Sequence, residues 1–428
     1  MFIIRYYHFT KYYGYLYDDG KKIQIKGGIN IHKSSPIFVV IGGIAALVIV
    51  MGIGRFAYTP ILPYLQDAVR LPNDIAGYLA SINYLGYLLG ALLAGISKWK
   101  KRKIFYLRFY VILNILTTMM MGLTDHYLLW FFFRFISGFT SGLVFVLASS
   151  MILDALALSK KLHLSGMFYS GVGLGIFITG LIVPVFNHFF SWGGAWIGLG
   201  IFSVFISVFT FLWLKENSAK ITHPPLIVSH TQPFHKQKVL PWLIASYGCE
   251  GMGYSVSGTF LVALVQDIPS LKHFPALSWV FVGAAAIPSC ILWALVAKKY
   301  GNLLTLQIAF FVQMVGVILP AVFMNSYGAL IGALLFGATF MGITTLAVSE
   351  GRMITPNKSS KVIGHLTFVY GIGQMIGPSI AGILIANSGN YHTSLMFAAC
   401  VLVFGMLLLG IGQIKWINHK NSSYFLKN

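Results

Sequence analysis

The sequence predicts an all-α polytopic membrane protein with twelve transmembrane helices in two pseudo-symmetric six-helix bundles. Three observations carry this prediction: the chain is strongly apolar, apolar runs of membrane-spanning length recur along it, and its second half repeats features of its first. Of the 428 residues, 57% are hydrophobic and 9% are charged, and the mean hydropathy is +0.78. Soluble domains carry roughly 25% charged residues.

The apolar runs have about 20 residues, the length of helix that crosses a hydrocarbon core of ~30 Å. Six predicted spans in the first half are 36–65, 75–97, 104–122, 127–151, 164–187 and 192–214. Six more in the second half are 239–266, 276–297, 303–324, 327–350, 362–387 and 391–413. We therefore predict bundles over 36–214 and 239–413, a cytoplasmic linker over 215–238, and cytoplasmic tails over 1–35 and 414–428.

Basic side chains occupy alternate loops, for example Lys98, Lys100 and Lys101 after the second span, and Lys298 and Lys299 after the eighth. An excess of Lys and Arg in short loops marks the cytoplasmic side of a membrane protein. We therefore expect a multi-pass protein of the cell membrane with both termini in the cytoplasm. The net charge of +20 is explained by this pattern and does not indicate nucleic acid as a partner.

The two halves resemble each other at a nearly constant offset. GIGRFAYTPIL at 52–62 aligns with GMGYSVSGTFL at 251–261, so that both glycines and the final leucine coincide. Gly171-Val-Gly173 falls on Gly371-Ile-Gly373 at about the same offset of roughly 200 residues. Parallel repeats of six helices are one way in which transporters are built, with the substrate site between the halves near the midplane.

Other motifs point to packing. Cys249, Cys290 and Cys400 lie inside apolar runs without metal-ligand spacing. Three histidines of the linker, His223, His230 and His235, are interpreted as solvated side chains. The glycines from Gly171 to Gly175 do not fit a phosphate loop, and we expect them to allow close helix packing. We find no nucleophile–base arrangement, and predict no metal, no cofactor and no enzymatic activity.

Three charged residues lie well inside predicted spans: Arg55, Arg134 and Glu250. A charge at the centre of a bilayer costs roughly 2.5–3.5 kcal/mol on insertion scales, so such residues usually face the bundle interior or a wet cavity. Three others lie at cytoplasmic helix ends, where we expect them to be interfacial: Arg108, Asp154 and Glu350.

Polar side chains at helical spacing extend these positions into stripes. The functional interpretation is that the stripes line a central cavity. Glu250 and Arg134 would then serve in proton coupling, and the predicted substrate-binding residues are Arg55, Tyr58, Asn83, Tyr87, Tyr247, Tyr254, Tyr370 and Gln374. The alternative interpretation is that the charged residues pair with one another or with carbonyl groups, and that the polar side chains only hold helices together.

Several stretches carry a family resemblance: 52–63, 83–90, 247–254, 258–261 and 373–378. On these the chain resembles the major facilitator superfamily, and within it the YbfB/YjiJ branch. The resemblance implies a twelve-helix fold with a cytoplasmic central linker in a bacterial cytoplasmic membrane. Arg134 and the residues that follow it are similar to the fourth-helix motif of the superfamily, whose arginine is implicated in proton coupling in antiporters.

We therefore expect a proton-coupled secondary transporter that works by alternating access. Two buried arginines against one buried acid favour a small organic anion as substrate. The alternative within transport is proton-coupled efflux of amphipathic or cationic drugs, with Glu250 contacting the substrate. A passive channel or a non-transporting sensor is the alternative from another class. The expected partners are a small-molecule substrate, protons and the lipid bilayer, and the expected state is a monomer.

Overall fold

The computed structural model describes residues 15–18, 21–24, 36–97, 102–161, 164–215, 238–355 and 359–425. Two short strands, β1 (Tyr15–Asp18) and β2 (Lys21–Gln24), pair antiparallel in the predicted N-terminal tail. From residue 36 onwards, the residues that the structure describes are mostly helical. The helices are α1 (Pro36–Leu47), α2 (Tyr58–Val69), α3 (Asn73–Ile96), α4 (Lys103–Met120), α5 (Tyr127–Leu158), α6 (Ser165–Trp213), α7 (Leu240–Gln266), α8 (Leu277–Tyr300), α9 (Asn302–Val322), α10 (Ser326–Ile354), α11 (Ser359–Ser388) and α12 (His392–Phe425).

Ten helical segments of the described ranges are long and apolar enough to cross a membrane. One is the continuous stretch Pro36–Val69, which contains α1 and α2. Another is α6, whose 49 residues would extend about 74 Å at 1.5 Å per residue, more than twice a bilayer core. Ser191 has non-helical backbone angles (φ 63°, ψ 179°) and divides α6 into two passes at the predicted boundary. Helix α7 has 27 residues, which is long enough to cross a bilayer core, but it is not among the ten segments. The count of twelve passes therefore stays a prediction.

The ends of the bundle differ in charge. Lys103, Lys160, Lys298 and Lys415 lie at one end, which we call the basic end, and the other is called the opposite end. The first half contacts the second through α2 against α7, α3 against α11 and α6 against α8. Most of the predicted linker, residues 216–237 with His223, His230 and His235, lies outside the described residues.

The internal repeat is visible in the contacts. Three hydrogen-bonded pairs join the halves along α2 and α7: Arg55 with Tyr254, Thr59 with Gly258, and Asp67 with Gln266, each separated by 199 positions. We call this line of contacts the seam. Because equivalent residues of the repeats oppose each other there, the seam lies on the pseudo-two-fold axis of the molecule.

Glycines set the distance between α3 and α5. A Cβ atom at Gly86 would overlap the carbonyl oxygen of Phe135, and one at Gly138 would overlap that of Asn83. The glycine series of α6 behaves in the same way, since Gly175 lies against the backbone of Gly52. This confirms the expectation that these glycines serve close packing of helices.

The expectation that Glu350 is interfacial is wrong, because its side chain is fully buried. The last turns of α10 pack against α11, where Val362 and Leu366 lie beside Gly351. Arg108 is partly buried and donates to the carbonyl oxygen of Phe211 at 2.7 Å.

We expect Gly86→Ala to lower the free energy of unfolding by about 1–3 kcal/mol, the usual cost of overpacking a close contact. Gly95 is the control on the same helix, since a Cβ there would meet nothing within 4 Å. Thermal unfolding of the purified variants in detergent measures the difference. Equal melting temperatures for the two variants would show that α3 and α5 are not held at glycine distance.

Candidate functional site

Arg55 lies where the first transmembrane segment departs from a regular α-helix. After α1 the chain widens into a π-helix at Val48–Ile53, and the N–H of Gly54 bonds to the carbonyl oxygen of Ile49, five residues back, at 2.8 Å. Glycine lowers helix propensity here by about 1 kcal/mol per residue. A π-helical turn rotates the residues after it and is frequent at functional sites. The distortion turns Arg55 towards the second half of the molecule.

The guanidinium of Arg55 is enclosed by aromatic rings. Its central carbon lies 4.0 Å from the ring centroid of Tyr87, 4.7 Å from that of Tyr84 and 5.3 Å from that of Phe56. Its Nη2 donates to the hydroxyl oxygen of Tyr254 at 3.3 Å. The side chain is 4% exposed, so these groups replace water around the charge. A cation over aromatic faces gains about 2 kcal/mol or more when it is desolvated.

No carboxylate of the described residues neutralises Arg55. The groups that contact its guanidinium are aromatic, namely the rings of Tyr87, Tyr84 and Phe56 and the hydroxyl of Tyr254. The Nε atom of Arg55 is buried and has no hydrogen-bond partner among the described residues. The site therefore contains a buried positive charge that is stabilised by ring faces and one hydroxyl, without a counter-ion from this part of the chain.

Tyr254 connects Arg55 to α11. Its hydroxyl oxygen also accepts a hydrogen bond from Nε2 of Gln374 at 2.7 Å. One hydroxyl thus links the first half to two helices of the second half. The other amide atom, Oε1 of Gln374, is buried without a hydrogen-bond partner among the described residues.

Five rings of the second half lie with nearly parallel planes, and one of them belongs to Tyr254, which binds Arg55. We call Tyr247, Tyr370, Tyr254, Phe340 and Phe336 the aromatic column. In this order neighbouring centroids are 4.3, 5.9, 5.7 and 5.6 Å apart, and the interplanar angles are 15°, 4°, 4° and 17°. Tyr254 also lies 6.4 Å from Phe336 at 16°, so that Tyr254, Phe340 and Phe336 are mutual neighbours. Their faces are therefore nearly parallel from α7 through α11 and α10.

Glu250 lies at the side of the column and is fully buried. Its Oε1 accepts a hydrogen bond from Nε2 of Gln313 at 3.2 Å, and Tyr370 lies beside its carboxyl group. Its Oε2 has no hydrogen-bond partner among the described residues. No pairing of Glu250 with Arg55 or Arg134 is found in the described chain.

Arg134 belongs to a separate layer. Its Nε and Nη1 donate to the carbonyl oxygens of Leu79 and Gly54 at 3.3 and 3.4 Å, and its guanidinium lies 4.5 Å from the ring centroid of Tyr58. Asn83 donates to the carbonyl oxygen of Arg134 at 2.8 Å. In this conformation the three predicted site residues of this layer hold α2, α3 and α5 together.

Side chains of α5 also bond to the carbonyl groups near the π-helix. Ser137 donates to the carbonyl oxygen of Gly54 at 2.8 Å, and Ser141 donates to that of Val50 at 2.6 Å. Unpaired carbonyl groups are costly away from water. The polar stripe of α5 therefore makes the distorted backbone beside Arg55 stable.

The structure brings seven of the ten predicted site residues into one connected cluster: Arg55, Tyr87, Tyr247, Glu250, Tyr254, Tyr370 and Gln374. Sequence reasoning missed Tyr84, Gln313, Phe336 and Phe340. Gln313 had a signal, since an amide in the middle of an apolar run needs a buried partner. The two phenylalanines had none, because aromatic residues are common throughout this chain.

Contacts across the opposite end close the site on that side. Gln266 donates to the carboxylate of Asp67 at 2.8 Å. The hydroxyl oxygen of Tyr391 lies 3.2 Å from both Oε1 of Gln66 and Oδ1 of Asn73, and its one proton is available to either acceptor. Thr59 donates to the carbonyl oxygen of Gly258 closer to the centre. These bonds all join the first half to the second.

A cavity of about 960 Å³ lies outside these contacts. Charged groups of both halves line it, namely Asp67, Arg70, Asp267 and Lys272. Partial burial raises the pKa of Asp267, and burial raises the pKa of Tyr391 to about 12. The cavity is therefore a polar vestibule above the closed end of the seam.

Comparison with known proteins identifies the family. A family model described as the uncharacterised MFS-type transporter YbfB matches residues 47–410. The chain belongs to this MFS family. The resemblance on which the sequence analysis relied is thereby confirmed, and the protein is a multi-pass MFS-type transporter.

Similar proteins cover nearly the whole molecule. An uncharacterised MFS-type transporter of Yersinia pestis (strain Pestoides F) is 22% identical over 392 residues, covering 88% of this chain and 96% of that protein. The MFS-type transporter YcaD of Salmonella typhi, also uncharacterised, is 22% identical over 406 residues, with the same coverage of 88% and 96%.

Solved structures support the MFS fold. A mutant form of the nucleoside transporter NupG superposes with a TM-score of 0.71 at 12% identity, covering 88% of this chain and 99% of that one. A bacterial homologue of the human lysosomal transporter Spinster, in an inward-facing and occupied conformation, gives 0.69 at 14% identity, with coverage of 89% and 97%. At 12% and 14% identity, the similarity shows a shared fold and nothing about the substrate.

For this MFS transporter we expect Arg134→Gln to lower the melting temperature. The shorter amide cannot reach both carbonyl groups, and an unsatisfied buried polar group costs about 1–3 kcal/mol. Arg352, which is exposed at the basic end, provides the control Arg352→Gln with the same loss of charge. A stability equal to that of the control would contradict the assignment of Arg134 to helix packing.

Proposed function

We propose that the protein is a secondary active transporter that carries a small organic anion across the cytoplasmic membrane by alternating access, coupled to protons. The observation that carries the proposal is Arg55, a buried cation at the seam with no carboxylate partner among the described residues. The transporter class comes from the family, and the anion and the proton are inferred from the site.

An anionic substrate complements this site. Ring faces and a hydroxyl stabilise a guanidinium less well than a carboxylate or phosphate, which forms charge-assisted hydrogen bonds roughly twice as strong as neutral ones. The unpartnered Nε of Arg55 offers one such donor. Binding there would also replace the bond from Arg55 to Tyr254, which joins the two halves. Substrate binding would thus act directly on a contact between the halves.

Glu250 is the proposed proton carrier. Its carboxyl is buried in the same cluster and contacts neutral groups, Gln313 and Tyr370, rather than a cation. Protonation changes such a group from an acceptor of hydrogen bonds into a donor. Tyr370 packs on Tyr254, which is the hydrogen-bond partner of Arg55. The ring of Tyr370 therefore connects Glu250 to the residue that binds Arg55.

The orientation follows from charge. Lysines concentrated at the basic end favour the cytoplasm for that end and for both termini. The contacts at the opposite end would then close the site towards the outside.

We expect Glu250→Gln to abolish substrate-driven proton movement, because glutamine cannot release a proton. Everted vesicles with a pH-sensitive dye, challenged with organic acids and lipophilic cations, measure this flux. Glu350→Gln is the matched control, since Glu350 is also fully buried but lies outside the cluster. Undiminished flux in Glu250→Gln would remove this residue from the coupling. A flux triggered only by cations would favour drug efflux over anion transport.

If the transporter works by alternating access, a covalent cross-link across the seam at the opposite end should stop transport. Asp67→Cys and Gln266→Cys, in a chain with Cys249, Cys290 and Cys400 replaced by alanine, would be joined by a reducible bifunctional thiol reagent. We expect transport to fall at least tenfold and to recover on reduction.

A cross-link inside one half is the control for this experiment. Lys103 and Ser150 lie 3.0 Å apart (Nζ to Oγ) at the basic end of the first half, so joining cysteines there should leave transport intact. Full activity with the seam joined would exclude separation of the halves at this end.

A further inference from the structure

Tyr254 belongs to the aromatic column and also binds the buried guanidinium of Arg55. This contact bears on the substrate class. We propose that the anion is a planar aromatic carboxylate, whose carboxylate binds Arg55 and whose ring stacks against the column. This inference rests on the proposed anion transport and goes beyond it by specifying the ring.

The distance between the two features fits such a molecule. Nη2 of Arg55 lies 3.3 Å from the hydroxyl oxygen of Tyr254, whose ring is the middle member of the column. A carboxylate that replaced this hydroxyl at Arg55 would place a directly attached ring beside the faces of Tyr254 and Tyr370. An aliphatic acid would satisfy the charge and leave the ring faces without a matching surface.

The geometry of the column is suited to stacking. The planes of Tyr370, Tyr254 and Phe340 are within 4° of parallel between neighbours. Aromatic pairs gain about 0.5–1.5 kcal/mol beyond the area they bury when they are offset-stacked or edge-to-face. A planar ligand parallel to these rings would make offset-stacked pairs on the faces it touches.

Unpartnered polar atoms lie at the same place. Nε of Arg55 and Oε1 of Gln374 are both buried without a hydrogen-bond partner among the described residues. Buried polar groups are nearly always hydrogen-bonded, so each such atom needs a reason. An aromatic acid would give Arg55 an acceptor, and a hydroxyl or amino group on its ring would give Gln374 a donor.

The same features disfavour an aromatic cation. A lipophilic cation would also stack on the column, but it would meet the charge of Arg55 in surroundings of low dielectric, where like charges repel strongly. The charge of Arg55 therefore favours an aromatic acid over a cationic drug, and the aromatic column favours an aromatic acid over an aliphatic one.

The test measures binding of matched probes to the purified transporter by isothermal calorimetry. Benzoate is compared with cyclohexanecarboxylate, benzamide and benzyltrimethylammonium, and trans-cinnamate with 3-cyclohexylpropionate and cinnamamide. We expect each aromatic acid to bind at least tenfold more tightly than its saturated, neutral and cationic counterparts.

Variants assign the preference to its causes. Tyr370→Leu and Phe340→Leu should reduce the preference for the aromatic over the saturated acid at least threefold, whereas Tyr254→Phe keeps the ring and should preserve it. Arg55→Gln should abolish the preference for benzoate over benzamide. Phe189→Leu is the control, because Phe189 is exposed on the outer surface of α6 and lies outside the column.

The outcomes separate the two proposals. Equal affinity for benzoate and cyclohexanecarboxylate would overturn the aromatic inference and leave anion transport standing. Tighter binding of benzyltrimethylammonium than of every acid would overturn both. Protein that is monodisperse and binds none of the acids would also overturn the aromatic inference.

Discussion

Stabilising the guanidinium of Arg55 without water, and without a carboxylate from the described chain, is the constraint on which much of the interior depends. Rings of Tyr84 and Tyr87 cover its faces, and the hydroxyl of Tyr254 accepts from its edge. Because Tyr254 comes from α7 in the second half, the enclosure of the charge in this structure depends on contact between the halves. A single side chain thus couples the electrostatics of the site to the arrangement of the bundles.

The backbone around Arg55 must also satisfy its polar groups without water. A π-helix lets the side chain face inwards, but the carbonyl groups it rotates must find donors, since lipid offers none. Helix α5 supplies them from Ser137, Ser141 and Arg134. Arg55 and Arg134 therefore have different roles. Arg55 faces the seam, whereas Arg134 supports the segment that presents Arg55.

Hydropathy predicted most of the helices, because every side chain has a preference for water or lipid. Charged residues inside apolar runs located most of the cluster, since burial there needs partners. The partners of these residues could not be predicted. The spacing that put Arg134 on a polar face of α5 does not show that this face meets the carbonyl groups of Gly54 and of Leu79 in α3. The burial of Glu350 depends on its packing against α11, and the column depends on three helices together. Neither arrangement produces a periodic pattern in the sequence.

The 199-residue spacing of the seam pairs has a consequence for how such an interior can arise. A symmetric dimer of identical six-helix units sets every residue on its axis against a copy of itself. At the position of Arg55, two guanidinium groups would then face each other in low dielectric and repel. Arginine opposite tyrosine therefore requires two halves that differ in sequence at this position. A version rebuilt from two identical halves would have to give up this charge.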